Sequence, residues 1–312
     1  MTLTVLFASP RHWPAWKAPL AQALADLGID ARLTDDPAAD PGSVDVIVCA
    51  PTGPLQDFAP FRNCRAVLSI WAGVEAIVGN PTLTQPLCRM VDPTMTQCMA
   101  DYVCGHVLRH HLDIDRYLAR QDGVWDHGDV PPPSSDRRVT MLGLGQLGRA
   151  CAEALAGLGF RVSGWSRSPR DIAAVTCHHG ESGLADALKE AEIVVTLLPD
   201  TPTTKNLLNA ERLALLPPDA VIINPGRGAL IDDEALLAAL DSGRLGHATL
   251  DVFRTEPLPP EHPFWAHPRV TVTPHIAAET RPETAAPVIA ENVRRVADGL
   301  PLLHLVDRDR GY

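Results

Sequence analysis

The 312-residue chain has no apolar stretch approaching the roughly 18 residues that a membrane span needs. Its opening run, Leu3–Ala8, is too short for the core of a signal peptide and lacks the charged flank, so it predicts a first buried strand in a cytoplasmic protein. A basic excess is also missing. With 27 Lys+Arg against 38 Asp+Glu the net charge is −11, which argues against a nucleic-acid partner. It leaves room for an anionic ligand, because a few placed arginines make a local positive pocket. The seven cysteines (Cys49, Cys64, Cys88, Cys98, Cys104, Cys151, Cys177) include no C-x-x-C pair, and most sit among apolar neighbours. Reduced, packed thiols are expected. No nucleophile elbow, Walker A loop, internal repeat or low-complexity tract occurs, and no spacing of His and Cys suits zinc, so no metal is expected. The adjacent pairs His110-His111 and His178-His179 lack the i,i+4 spacing of a two-ligand helix face and read as solvated histidines.

What is present is a globular composition, 46% hydrophobic and 21% charged, in a chain long enough for two domains. Short apolar runs at Leu3–Ala8, Ala31–Thr34, Val44–Cys49 and Ala66–Trp71 alternate with a helical pattern at Trp16–Gly28. A long helical pattern over Thr94–Gln121 follows, capped by Asp92-Pro93-Thr94, and then a loop, Asp122–Ser135, with three prolines. A second series sets strands at Arg137–Leu142, Arg161–Trp165, Ile193–Leu198, Ala220–Asn224, His247–Val252 and Val270–Thr273 among helices at Gly145–Gly157, Leu184–Glu190, Asn209–Leu216 and Asp232–Ser242. A last helix covers Pro282–Gly299. This alternation predicts an α/β protein of two doubly wound, Rossmann-like or flavodoxin-like parallel-sheet domains.

The strongest local signal is Gly143-Leu144-Gly145-Gln146-Leu147-Gly148, a G-x-G-x-x-G between a strand and a helix. Gly143 permits the tight turn, Gly145 the close approach of a pyrophosphate, and Gly148 the packing of helix on strand. The N–H groups that open the helix, around Gln146 and Leu147, would face the phosphates. The next strand ends in Trp165-Ser166-Arg167-Ser168, with Arg170 close behind. Ser166 stands where NAD-binding sites usually carry an acid, and a hydroxyl with nearby guanidinium groups suits a 2′-phosphate. NADP(H) is therefore preferred over NAD(H), which stays possible.

Three further motifs end predicted strands: Asn224-Pro225-Gly226-Arg227-Gly228, Asp251-Val252-Phe253-Arg254-Thr255-Glu256-Pro257 and Thr273-Pro274-His275-Ile276-Ala277. Together with the glycine loop they resemble the D-isomer-specific 2-hydroxyacid dehydrogenase family over nearly the whole chain. Val91–Gln97, Trp165–Ser168, Leu197-Leu198-Pro199, Leu240–Gly243, Thr280-Arg281-Pro282 and the end, Val306-Asp307-Arg308 and Gly311-Tyr312, place the resemblance closest to its glyoxylate/hydroxypyruvate reductase A branch. The resemblance implies a substrate-binding domain over residues 1–100 completed by 281–312, a dinucleotide domain over 101–280, an active-site cleft between them, and a homodimer. It implies that His275 gives a proton to the keto oxygen, that Glu256 orients and charges His275, and that Arg227 pairs with the substrate carboxylate. Leu198, Pro199 and Asp251 would lie against the cofactor, Asp251 near the nicotinamide carboxamide. In the first domain, Trp71-Ala72-Gly73-Val74 matches the substrate loop, with Trp71 where a small residue is usual. The implied reaction is NADPH-dependent reduction of glyoxylate to glycolate or hydroxypyruvate to D-glycerate. Trp71 keeps a bulkier 2-keto acid such as phenylpyruvate in view. A dinucleotide-sensing binding protein is the alternative of another class, and the presence of Arg227, Glu256 and His275 favours an enzyme. Glu256, where a formate dehydrogenase would carry Gln, disfavours that branch.

Overall fold

Runs of Val, Ile and Leu stand apart along the chain, and β-branched side chains of this kind favour a pleated, buried backbone. In the computed structural model, which describes residues 2–36, 40–125, 128 and 130–311, these runs form parallel strands. In chain order the elements begin with β1 (Leu3–Phe7), α1 (Trp13–Asp26), β2 (Ala31–Thr34), β3 (Val46–Cys49) and β4 (Ala66–Ser69). A one-turn α2 (Glu75–Val78), the two-residue β5 (Leu87–Cys88), α3 (Pro93–His111) and α4 (Ile114–Leu118) follow. The second series is β6 (Arg138–Leu142), α5 (Gln146–Gly157), β7 (Arg161–Ser166), β8 (Val175–His179), α6 (Gly180–Lys189) and β9 (Ile193–Thr196). It continues through α7 (Ala210–Leu213), β10 (Ala220–Asn224), α8 (Asp233–Asp241), β11 (Leu245–Leu250) and β12 (Val270–Val272) to α9 (Pro282–Asp298). Among the described residues no helix is long and apolar enough to cross a membrane.

The chain divides into two compact units, Met1–Met95 with Thr280–Tyr312, and Thr96–Glu279. The first holds a five-stranded sheet in the order β2-β1-β3-β4-β5, with Val5 opposite Val46 and Val48 opposite Leu68. β1, β3 and β4 are buried along their whole length, as parallel strands covered on both faces should be. α1 and α9 pack on each other, so the end of the chain completes the unit formed by its beginning.

The second unit holds a seven-stranded sheet, β12-β11-β10-β9-β6-β7-β8, all parallel. Period-two alternation sends Val139, Met141, Ile193 and Val195 to one face, where they meet Cys151 and Leu155 of α5 and Val103 and Val107 of α3. Leu142, Val194, Ile222 and Ala248 go to the other face, against Leu184 and Leu188 of α6 and Leu236 and Leu240 of α8. Burying each such aliphatic side chain contributes about 1.5–3 kcal/mol. Chain order reverses between β6 and β9, so the strand ends there open outward on both sides.

Two expectations are corrected here. The single helix expected over Thr94–Gln121 stops at His111 and resumes at Ile114, because Asp113 takes a left-handed φ of 52°. The pair His110-His111 is not solvated. His111 is buried against the ring of Phe160, and the Nε2 of His110 bonds the hydroxyl of Thr249 at 2.9 Å. α3 carries its apolar residues on the core face, while Tyr102, Arg109 and His110 reach the hydroxyls of Thr273, Thr271 and Thr249. Of the loop expected over Asp122–Ser135, residues 126, 127 and 129 lie outside those described, as does Tyr312. His178 and His179 lie on β8, where successive side chains point to opposite faces.

Candidate active site

All seven strands of the larger sheet run the same way, so their carboxyl ends share one edge. Along that edge, in sheet order, come the loops after β12, β11, β10, β9, β6 and β7. These carry His275, then Asp251 and Glu256, then Arg227, Leu198 with Pro199, the glycine loop, and Ser166 to Arg170. Residues from distant parts of the chain are thereby brought to one edge.

The glycine loop has the shape its glycines allow. Gly143 adopts a φ of +111°, and a Cβ there would stand 2.4 Å from the Leu197 carbonyl oxygen. At Gly148 a Cβ would meet the Gly143 carbonyl oxygen at 1.8 Å, so α5 can start this close to the turn only without a side chain. Gly145 faces open space. The first i→i−4 bond of α5 runs from the Arg149 N–H to the Gly145 carbonyl at 2.8 Å. The N–H groups of Gln146, Leu147 and Gly148 stand ahead of it, at the positive end of the helix dipole. At the end of β7 the Ser166 hydroxyl donates to the Ser168 carbonyl at 2.7 Å and rounds the loop, with Arg167, Ser168 and Arg170 exposed. Leu198 and Pro199 are half-buried, Leu198 close to Gly143 of the glycine loop, and the Thr204 hydroxyl holds the Pro199 carbonyl at 2.6 Å.

Three groups converge at the other end of the edge. His275 Nδ1 lies 2.7 Å from Glu256 Oε2, and Glu256 Oε1 accepts the Phe253 N–H at 2.8 Å. The bond to Glu256 is the main cause that raises the pKa of His275. Partial burial opposes it, the charges of Glu256 and Asp251 reinforce it, and Arg227 opposes it. For Glu256 burial is the largest single influence and pushes upward. The His275 and Phe253 hydrogen bonds, with the charges of His275 and Arg227, outweigh it and hold the carboxyl below its usual range. Arg227 thus acts electrostatically on both partners, and one of its N–H groups turns back to the Gly226 carbonyl at 2.6 Å.

The loops behind these side chains are fixed by polar residues whose roles the sequence did not announce. Asn224 is buried and accepts from the Thr196 hydroxyl (2.6 Å) and the Gly226 N–H (3.1 Å) while donating to the Arg227 carbonyl (2.9 Å). Asp251, with no exposed surface, accepts from the Thr273 hydroxyl at 2.6 Å and from the Ile276 and Ala277 N–H groups at 2.9 Å each. Their holding role has a signal in the sequence: Thr196 and Asn224 are polar residues that close the apolar strands β9 and β10, and Asp251 directly follows β11.

Within the smaller unit, Trp71-Ala72-Gly73-Val74 follows β4. The Ser69 hydroxyl donates to the Trp71 carbonyl at 2.9 Å and accepts the Trp71 N–H at 3.0 Å, and the Met90 N–H reaches the same carbonyl at 3.0 Å. The Trp71 ring meets the His12 ring edge-on at 5.9 Å, and Val74 buries its side chain in the core. Ala72 and Gly73 are half-buried between them. All seven cysteines are free, four of them buried. Among the described residues no three His, Cys, Asp or Glu side chains converge as metal ligands.

Residues 103–277 match the family description "D-isomer specific 2-hydroxyacid dehydrogenase, NAD binding domain". The chain is 39% identical over 306 residues to the glyoxylate/hydroxypyruvate reductase A of Serratia proteamaculans, covering 95% of this chain and 96% of that protein. Its fold is similar to a D-isomer specific 2-hydroxyacid dehydrogenase from Xanthobacter autotrophicus, solved with NADPH and MES, with a TM-score of 0.90, 43% identity and 99% of each chain covered. It is also similar to the NADPH-dependent glyoxylate/hydroxypyruvate reductase of Sinorhizobium meliloti, solved with NADP and sulfate, with a TM-score of 0.88 and 34% identity over 99% of this chain and 100% of that one.

Proposed function

The chain belongs to the D-isomer specific 2-hydroxyacid dehydrogenase family, and from that premise we propose that it reduces glyoxylate to glycolate, or hydroxypyruvate to D-glycerate, with NADPH. The single observation that carries the reading is the 2.7 Å bond between His275 and Glu256 under the charge of Arg227. When bound, the reduced dinucleotide supplies the hydride. Glu256 takes Nδ1 of the imidazolium and leaves Nε2 to give its proton to the keto oxygen. Arg227 holds the substrate carboxylate and polarises the carbonyl with its guanidinium.

For the cofactor, the open face at Gly145 and the N–H groups at the start of α5 fit a pyrophosphate. Ser166, Arg167, Ser168 and Arg170 fit a 2′-phosphate better than a bare ribose hydroxyl. The two solved relatives bound NADPH or NADP, which supports the same preference. Asp251 has no exposed surface and gives its carboxylate to the Thr273 hydroxyl and the Ile276 and Ala277 N–H groups, so its part in the proposal is to hold the His275 loop. A homodimer is part of the proposal. Leu118, Trp125 and Val130, exposed to 67%, 91% and 81%, lie within 13 positions of one another and would leave water in a subunit contact.

NADPH oxidation with a panel of 2-keto acids tests the reading. Glyoxylate and hydroxypyruvate should give the highest kcat/KM, and NADH should do worse than NADPH. A clear preference for phenylpyruvate or for NADH would refute the substrate or the cofactor assignment respectively.

A further inference from the structure

His275 sits in backbone that disfavours it, with a φ of +55°. Its own N–H is shared between the Asp251 carbonyl at 2.8 Å and the Thr273 carbonyl at 3.1 Å. The next two N–H groups, of Ile276 and Ala277, go one to each oxygen of the Asp251 carboxylate. Asp251 is therefore the post around which the His275 loop is wound, and the direction of that carboxylate fixes the direction of the loop.

The carboxylate has a third ligand, the Thr273 hydroxyl at 2.6 Å. A carboxylate only accepts, so the single proton of Thr273 is committed to Asp251. The hydroxyl of Tyr102 lies 2.7 Å from the same Thr273 oxygen and must donate to it. Burial, the largest influence on Tyr102, pushes its phenol upward and keeps it a donor at any working pH. The Thr273 bond and Arg109 pull it down, and Asp251 adds to the rise. Tyr102 is held from its own side by α3, with its ring 4.4 Å from that of His106. The donors converge on Asp251: Tyr102 donates to Thr273 and Thr273 to the Asp251 carboxylate, while the His275 N–H donates to the Asp251 carbonyl and the Ile276 and Ala277 N–H groups to its carboxylate.

We propose that Tyr102 and Thr273 are positioning residues for His275, anchoring the acid's loop to α3 through Asp251 so that the imidazole meets Glu256. The inference rests on the reading of His275 as the proton donor and adds two side chains to it that touch neither substrate nor cofactor. Without the Tyr102 hydroxyl, Thr273 is free to rotate, Asp251 loses a ligand, and the imidazole drifts from Glu256. The groups that set the charge of His275 are then Glu256, Asp251 and Arg227, with only their alignment changed.

The test uses Tyr102→Phe, Thr273→Val, the double variant and Thr273→Ser, read in two ways. The first is kcat, KM and the pH profile with glyoxylate. The second is the titration of the His275 ring by NMR in the free protein, which does not depend on turnover. Tyr102→Phe and Thr273→Val should each lower kcat about tenfold with KM little changed, the first by removing the hydroxyl bond that orients Thr273 and the second by removing the bond to the Asp251 carboxylate. The His275 titration should move to lower pH, toward that of an ordinary histidine. The double variant should be no worse than Thr273→Val, because the two act in series, and Thr273→Ser should restore both readouts. If Tyr102→Phe and Thr273→Val leave the His275 titration unmoved, or merely lower Tm, the proposal is overturned. If the titration moves while His275→Ala stays fully active, the anchoring stands and the proton-donor reading falls instead.

Discussion

A left-handed backbone at a residue with a side chain costs on the order of 1–3 kcal/mol, and His275 is placed there. The cost is offset by the bonds that its loop makes to Asp251, and in return the ring reaches Glu256. The pair sets a pH dependence with a definite sign. On the proposed reading His275 must be charged to donate its proton, and Glu256 raises its pKa above the ordinary histidine value. For keto-acid reduction, kcat/KM should stay level at low pH and fall only as pH rises through the raised pKa. Glu256→Gln keeps the size of the side chain and removes the charge. It should shift that alkaline limb to lower pH and cut kcat/KM at neutral pH by about 10²-fold. A limb that does not move would separate Glu256 from the titration. At this scale the sequence was informative where a motif names its residue, as with Arg227, Glu256 and His275. It was silent on Tyr102, whose role depends on a partner 171 positions away.

Among the elements, the apolar runs that become β1, β4, β6, β9 and β10 could be read directly, because burial on both faces demands continuous aliphatic sequence. β8, Val-Thr-Cys-His-His, was missed because an edge strand needs no such run. β5 has only two residues, too few for any pattern. α3 misled in a more instructive way. The sequence reads His110 and His111 as solvated, but His110, with Tyr102 and Arg109, fastens the helix to Thr249 of β11, Thr271 of β12 and Thr273 just after it. His110 of α3 and His247 of β11 meet there, with ring centroids 5.0 Å apart, and both are held neutral. Burial, with the neighbouring His247 and Arg109, pushes His110 down to about 3. Burial and Arg109 push His247 down to about 4. Below the ordinary histidine pKa the unfolded chain binds protons that the native state refuses. Stability present at neutral pH is therefore lost as pH falls toward those values, by roughly 1.4 kcal/mol per pH unit for each group. Thermal unfolding of the wild type between pH 7 and pH 4 should show this decline, and His247→Asn should flatten it. Parallel curves would mean that these histidines do not control acid stability.

For the whole molecule, two α/β units and the family motifs were legible because the glycine loop and three strand-end motifs each demand a parallel sheet behind them. The association of subunits is less legible, since an apolar residue in a sequence serves a core or a partner equally well. The exposure of Leu118, Trp125 and Val130 takes them out of this chain's core and supports the proposed subunit contact. Leu118→Asp places a charge on that surface and should convert a sedimenting dimer to monomer, with the fold retained by circular dichroism. A wild type that sediments as a monomer would remove the subunit contact from the account. The central claim is that this chain moves hydride to the keto carbon while His275 delivers the proton. Its most direct test is the reduction of glyoxylate with NADPH deuterated at the transferring position, for the wild type and for His275→Ala. The wild type should yield glycolate carrying one deuterium at C2, and His275→Ala should form it at least about 10²-fold more slowly. Glycolate without deuterium, or an undiminished rate in the variant, would contradict the account.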